Sequence, residues 1–169
     1  MSSLIQSYFR NAFLVASSLI AGCAISSPQR VPPLAIGETG NDTVFVVVTR
    51  ADIKPALRST FDDVAARVVK ALPQQPGLIT YSLRREIFGT QEWTMTAWSS
   101  AEAREAFGSS LAHREAMKLT SILVKDLDVQ RFTIRRDQLP LPWTDALARL
   151  SVAKTARASG NATHLERKD

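Results

Sequence analysis

The sequence predicts an α+β domain in which one antiparallel sheet carries helices on a face, with elements in the order β-α-β-β-α-β. Three observations predict it. Val44 to Val48 (VFVVV) is an unbroken apolar run, the residues between Pro55 and Pro73 carry apolar side chains at helical spacing, and two alternating segments are joined by a short Phe-Gly-Thr turn.

Each element follows from its residues. The VFVVV run, ending in Thr49 and Arg50, reads as a central strand covered on both faces. Pro55 sits where the first turn of a helix tolerates a missing N–H. Leu57, Phe61, Val64, Ala65, Val68 and Leu72 then form one stripe, with Arg58, Asp62, Asp63, Arg67 and Lys70 on the other sides, and Pro73 ends the helix. From Leu78 to Ile87, the residues Ile79, Tyr81 and Leu83 share one face and Thr80, Ser82 and Arg84 the other. Gly89 gives the turn its permissive backbone. From Glu92 to Trp98 the alternation resumes, with Trp93, Met95 and Ala97 facing one way and Thr94, Thr96 and Trp98 the other. An indole on each face implies that the second face also meets something, such as another subunit. Ser99 followed by Glu102 has capping-box spacing, so a helix starts directly after the strand, with Ala103, Ala106 and Phe107 on one side, and runs on in pieces to about Leu123. Val129 to Arg136 supplies the last strand, with Phe132 and Ile134 on its apolar side. The arrangement is ferredoxin-like.

The 169 residues hold one domain, placed at 43–138, and tails. The net charge of +5 is a weak bias. Arg84, Arg85, Arg131, Arg135 and Arg136 fall on or beside predicted strands, but the aromatic strand signature of an RNA-reading sheet is missing, so no nucleic-acid partner is expected. Only two histidines exist, His113 and His164, and neither has Cys or carboxylate neighbours at ligand spacing, so no metal site is predicted. There is no Gly-rich phosphate loop, and no cofactor is expected. Gly108-Ser109-Ser110 lacks the Gly-x-Ser-x-Gly spacing of a hydrolase nucleophile.

The ends read differently. Ala12 to Ile20 (AFLVASSLI), preceded by Arg10, has the length of a signal-peptide apolar region rather than a membrane span, which makes 1–22 a signal peptide. Ile20-Ala21-Gly22-Cys23 resembles a bacterial lipoprotein box, and Cys23, the only cysteine, stands where lipidation would occur; an uncleaved anchor is the alternative. Residues 24–42, rich in Ser, Pro, Gly and polar groups, read as a flexible tether. Ala24 stands where an aspartate commonly retains lipoproteins at the inner membrane, so the resemblance implies the cell envelope, lipid-anchored, on the periplasmic side of the outer membrane rather than the inner. Thr144 and Asp145 can cap a short helix over 139–151, with Leu147 and Leu150 on one face near Trp143; 152–169 reads as a polar tail, and the sequon at Asn161 as coincidence.

The stretch Pro76 to Met117 (PGLITYSLRREIFGTQEWTMTAWSSAEAREAFGSSLAHREAM) carries a further resemblance. Its order of pieces (Pro-Gly, strand, Phe-Gly-Thr turn, strand ending Ala-Trp-Ser, helix, Ala-His-Arg) resembles the antibiotic biosynthesis monooxygenase family of small dimeric α+β barrels. The resemblance implies a homodimer in which two sheets face each other, and oxidation of an electron-rich polycyclic phenol or quinol without metal or flavin. Such chemistry needs a dry aromatic pocket, a proton-handling group and orientation. A cavity between sheet and helices is the candidate site, lined by some of Tyr81, Trp93, Met95, Trp98, Phe107 and His113. His113, with an ordinary pKa near 6.5, is the candidate base; Tyr81, Arg50 or Arg85 could hold an anionic oxygen. Each has a plainer reading as core, interface or solvated side chain. For the haem-degrading branch of the superfamily, aligning Trp98 puts the expected asparagine, tryptophan and histidine at Thr49, Phe107 and Met117, none of which matches. The leading expectation is an envelope-anchored monooxygenase-like domain. The alternative is a non-catalytic dimeric module binding a small aromatic or apolar ligand, or a partner protein. The two differ in whether His113 faces an open pocket or solvent.

Overall fold

The computed structural model describes residues 23–165, with side chains described through residue 155. The expected signal segment 1–22 lies outside the described residues, as does the end of the expected polar tail. Five strands form one antiparallel sheet: β1 (Ala24–Ser26), β2 (Thr43–Ile53), β3 (Leu78–Glu86), β4 (Gln91–Trp98) and β5 (Val124–Arg135), in the spatial order β1-β3-β4-β2-β5. Helices α1 (Arg58–Ala71), α2 (Ala101–Gly108) and α3 (Leu111–Leu123) pack on one face, which is the expected ferredoxin-like arrangement.

Alternation along the strands decides what meets each face. In β2, Val47 and Ala51 look toward the three helices, while Val44, Val46 and Val48 belong to a separate cluster on the opposite face. That is why a continuous valine run suits this strand: both of its sides are dry. The α1 stripe is also as expected, with Leu57, Phe61 and Val64 packed toward α3 and Val68 and Leu72 toward Trp98 and Phe107.

The second face is covered by the chain itself. A fourth helix, α4 (Trp143–Leu165), brings Ala146 and Leu150, one turn apart, onto Val44, Val46, Val48, Met95 and Ile134, together with Leu141 from the preceding segment. Burying Leu141 and Leu150 contributes about 1.5–3 kcal/mol each. Trp143 donates from Nε1 to Ser82 Oγ at 3.0 Å, and that hydroxyl donates to the Ser27 carbonyl at 2.6 Å, linking helix, sheet and N-terminal segment.

Several expectations are corrected here. Helix α4 continues to Leu165, well beyond the short unit foreseen over 139–151. Residues 24–42 are not a free tether. Ala24, Ile25 and Ser26 pair with Glu86, Arg85 and Arg84, the Gln29 side chain bonds both ways with the backbone of Leu141, and buried Arg136 donates to the Pro32 carbonyl at 2.8 Å. The exposed backbone edge of β3 offers unpaired N–H and C=O groups, and this short segment satisfies them. Helix α2 is capped by Ser100, whose Oγ accepts from Ala103 N at 3.2 Å, one residue later than the spacing suggested. The last strand begins at Val124, five residues earlier than expected, because it follows α3 without a loop. Among the described residues no helix is long and apolar enough to cross a membrane.

Candidate functional site

Between the sheet and helices α1–α3 lies a cavity of about 770 Å³. Val47, Thr49 and Ala51 of β2 and Thr94, Thr96 and Trp98 of β4 form much of its floor, and Val64 and Val68 of α1, Phe107 of α2 and Ala116 of α3 its roof. The lining is mainly apolar, the usual character of a small-molecule site. Trp98 is fully buried, stacks on Phe107 with ring centroids 5.2 Å apart, and donates from Nε1 to Thr96 Oγ1 at 2.9 Å. These contacts leave the indole no freedom to turn.

His113 lines this cavity, at the start of α3. The break Gly108-Ser109-Ser110 places it there: Ser110 caps α3, its Oγ accepting from His113 N at 3.4 Å, and His113 Nδ1 lies 3.1 Å from the Gly108 carbonyl oxygen. A carbonyl only accepts, so Nδ1 carries the hydrogen and donates it, leaving a lone pair on Nε2 in the neutral ring. Phe107 meets the imidazole edge-on, with centroids 5.0 Å apart. Burial pushes the His113 pKa below its ordinary value; the Gly108 contact works against this, and the positive charge of Arg104 adds to it. At neutral pH the ring is therefore an uncharged base.

At the hairpin end of the cavity stands an ion-pair cluster. Arg85 Nη2 lies 3.3 Å from Asp62 and 3.0 Å from Glu92, and Arg58 reaches the same two carboxylates. Burial raises the Glu92 pKa, with Arg58 and Arg85 opposing it. At the other end Arg104 and Arg131 also line the cavity, and burial followed by repulsion from Arg131 lowers the Arg104 pKa.

The expected site residues thus divide. His113, Trp98, Phe107 and Arg85 come together around the cavity. Tyr81 stays on the same side but packs against Leu72, Trp98 and Phe107 without forming part of the cavity wall. Met95 is not a pocket residue: it lies on the opposite face, buried beneath α4. Trp93 touches the cavity border, yet its ring packs with that opposite cluster, with the Arg84 guanidinium 5.9 Å from its centroid. Arg50 is likewise removed from the site, paired with Asp126 and, at 2.6 Å, with Asp128. Cys23 is an exposed free thiol. Glu92, Arg104 and Arg131 were not foreseen. Glu92 shares strand parity with Trp98, and Arg104 lies one helical turn before Phe107, so both carried a signal. Among the described residues no group of three or more His, Cys, Asp or Glu side chains is placed to hold a metal.

Comparison with known proteins bears on the fold and on one part of the chain. A protein of unknown function from Nitrosomonas europaea superposes with a TM-score of 0.51 at 14% identity, over 61% of this chain and 100% of the other. A protein from Pseudomonas aeruginosa gives 0.51 at 11% identity, over 54% and 94%, and a conserved protein from Methanosarcina mazei gives 0.50 at 15%, over 57% and 96%. At such identities the likeness is one of fold. A search of curated proteins finds no match. In sequence, residues 44–119 match the model of the family described as antibiotic biosynthesis monooxygenase. The match runs from β2 to α3 and includes His113, Trp98 and Phe107, so the part of the chain that builds most of the cavity is the part similar to this family.

Proposed function

We propose that this domain oxidises a quinol or polycyclic phenol with molecular oxygen, the substrate supplying the electrons and His113 handling its proton. The observation that supports this reading best is the neutral imidazole of His113 in the wall of an apolar cavity of about 770 Å³, large enough for a three- or four-ring molecule. The bond from Nδ1 to Gly108 directs the lone pair to Nε2, which takes a proton from the bound substrate. For an anthrone-type methylene the balance is simple. Loss of the proton leaves a delocalised carbanion, which passes its electron pair to O₂ and forms a hydroperoxide after reprotonation. Loss of water from the hydroperoxide leaves a carbonyl, so one oxygen atom stays on carbon and the other departs as water. Trp98 and Phe107, stacked and buried, keep that part of the wall rigid. Tyr81 does not reach the wall, and Arg85 is already paired, so proton transfer is assigned to His113 alone.

The proposal places the chain at the cell envelope, held through Cys23, on the periplasmic side of the outer membrane. Cys23 is exposed, its carbonyl accepts from Ile87 N at 2.9 Å, and the neighbouring Phe88 is 83% exposed, so an anchor there has apolar company. It also includes a homodimer, as the family implies. Since α4 covers the centre of the face opposite the other helices, the second copy would pack over α4 rather than sheet against bare sheet as the resemblance implies.

The test is oxygen uptake by the full chain with a panel of anthrones and hydroquinones, alongside His113→Ala. Loss of a general base lowers the rate by about 10²–10⁴-fold. Uptake that survives the substitution would remove His113 from the mechanism; absence of uptake, with saturable binding of the same compounds to the folded chain, would leave a binding module. Membrane fractionation of the full chain against Cys23→Ser tests the anchor, and sedimentation tests the dimer.

A further inference from the structure

The two ends of the cavity differ in charge balance. At the hairpin end two guanidiniums, Arg58 and Arg85, meet two carboxylates, Asp62 and Glu92, and the charges cancel. At the Trp98 end, Arg104 and Arg131 line the cavity and neither forms an ion pair among the described residues. Arg104 lies on α2 with its guanidinium folded toward Gly108, the residue whose carbonyl holds His113; Arg131 comes from the edge strand β5 and is exposed, which puts it at the mouth. The only carboxylate that attracts Arg104 appreciably is Glu105, its neighbour on α2, and that attraction is weaker than the repulsion from Arg131. Two like charges are therefore held around one half-buried opening, beside a neutral imidazole, with only the weaker pull of Glu105 on Arg104 to offset them among the described residues. Such an arrangement is unfavourable until an anion fills it, and guanidiniums suit carboxylates because their planar donors match two oxygens at once.

We propose that the ligand of this cavity is an amphipathic anion: a flat aromatic body seated between Thr49, Thr96 and Ala116, with a carboxylate at the mouth held by Arg104 and Arg131. This rests on the reading of the cavity as a ligand site and names the class of ligand it takes. The carboxylate fixes which end of the ring system enters first, and thereby which carbon is presented to His113. Arg104 and Arg131 are specificity-determining residues, and the matched cluster at Arg58 and Arg85 offers no second anion position.

The experiment is a fluorescence titration of the full chain with anthracene carboxylate and with the matching anthracene methanol, which differ in the charged group and share the ring. The carboxylate should bind at least about tenfold more tightly than the alcohol. That preference should shrink about tenfold in Arg104→Gln and in Arg131→Gln, and also with added salt, while the affinity for the alcohol stays the same. Melting temperatures of both variants confirm that they are folded. Equal affinity for the two probes, or variants that weaken both probes alike, overturns the assignment while leaving the cavity as an apolar site. Failure of either probe to bind the folded chain overturns both the inference and the ligand-site reading beneath it.

Discussion

Gly77 follows Pro76 with φ near +78°, in the left-handed region that L side chains avoid. Its carbonyl accepts from Ser99 N at 2.8 Å, and a methyl group in its place would stand 2.6 Å from Ala103 Cβ. Gly77→Ala should therefore cost at least about 1–2 kcal/mol for the backbone alone, with the clash added, and a clear drop in Tm would register it. His113 makes a pH prediction with a definite sign. Its folded pKa lies below the ordinary value near 6.5, so the unfolded chain binds the proton at higher pH. Stability from this group is complete above that value and declines as pH falls through it. Melting curves should show the native chain losing more Tm between pH 7 and pH 5 than His113→Gln, and a pH–rate profile for a His113 base should be flat at neutrality. Glu92 works in the opposite sense: with its pKa raised above 4.5, its contribution is greatest at low pH and declines as pH rises through the folded value. At this scale the sequence was legible up to parity, except that a register shift between Leu78 and Thr80 turns Ile79 to the face opposite Tyr81, with which alternation had grouped it. Alternation correctly put Trp93, Met95 and Ala97 on one side and Thr94, Thr96 and Trp98 on the other. It carries no information on which side faces the cavity, and so Met95 and Arg50 were gathered into a site they do not share.

Among the elements, β2, α1 and the hairpin were readable because each buries a periodic set of apolar residues, and periodicity is a property of the local sequence. The two unforeseen features depend on something distant. Three residues are too few to show a period, and β1 exists because the β3 edge supplies its backbone partners. The second half of α4 is polar and extends a helix whose footing is the buried pair Ala146 and Leu150. Leu150→Ala should cost about 2–5 kcal/mol, measurable by denaturant unfolding. Ser110 could be noticed only once α2 and α3 were known to be separate. Ser110→Ala removes the α3 cap at a cost of about 1 kcal/mol, and since the same residue fixes the backbone of His113, oxygen uptake should fall by more than that stability loss accounts for.

For the molecule as a whole, the decisive feature is that a single sheet is enclosed on both sides by its own chain: three helices over the cavity, and α4 with the N-terminal segment over the other face. Bulk on both sides of the hairpin correctly announced that the second face is covered; what covers its centre is a helix more than forty residues downstream of the hairpin. A charge introduced under that helix should therefore expose sheet rather than abolish it. Ala146→Glu, at a position with no exposure, would lift α4 from Val44, Val46, Val48 and Ile134, and sedimentation should show the variant associating into larger species than the native chain. An unchanged sedimentation profile would mean that α4 is not what shields this face.

The hydrogen bond from Ile87 to the Cys23 carbonyl carries a mechanical consequence. A loose chain over 24–42 would let a domain roam about 25 Å from its point of attachment and tumble like a buoy. Here Cys23 is stitched into the sheet edge with no slack. Under the anchor proposed above, whatever is fixed at Cys23 would fix the tilt of the sheet as well, like a tile bonded at one edge, and the cavity mouth would keep one heading.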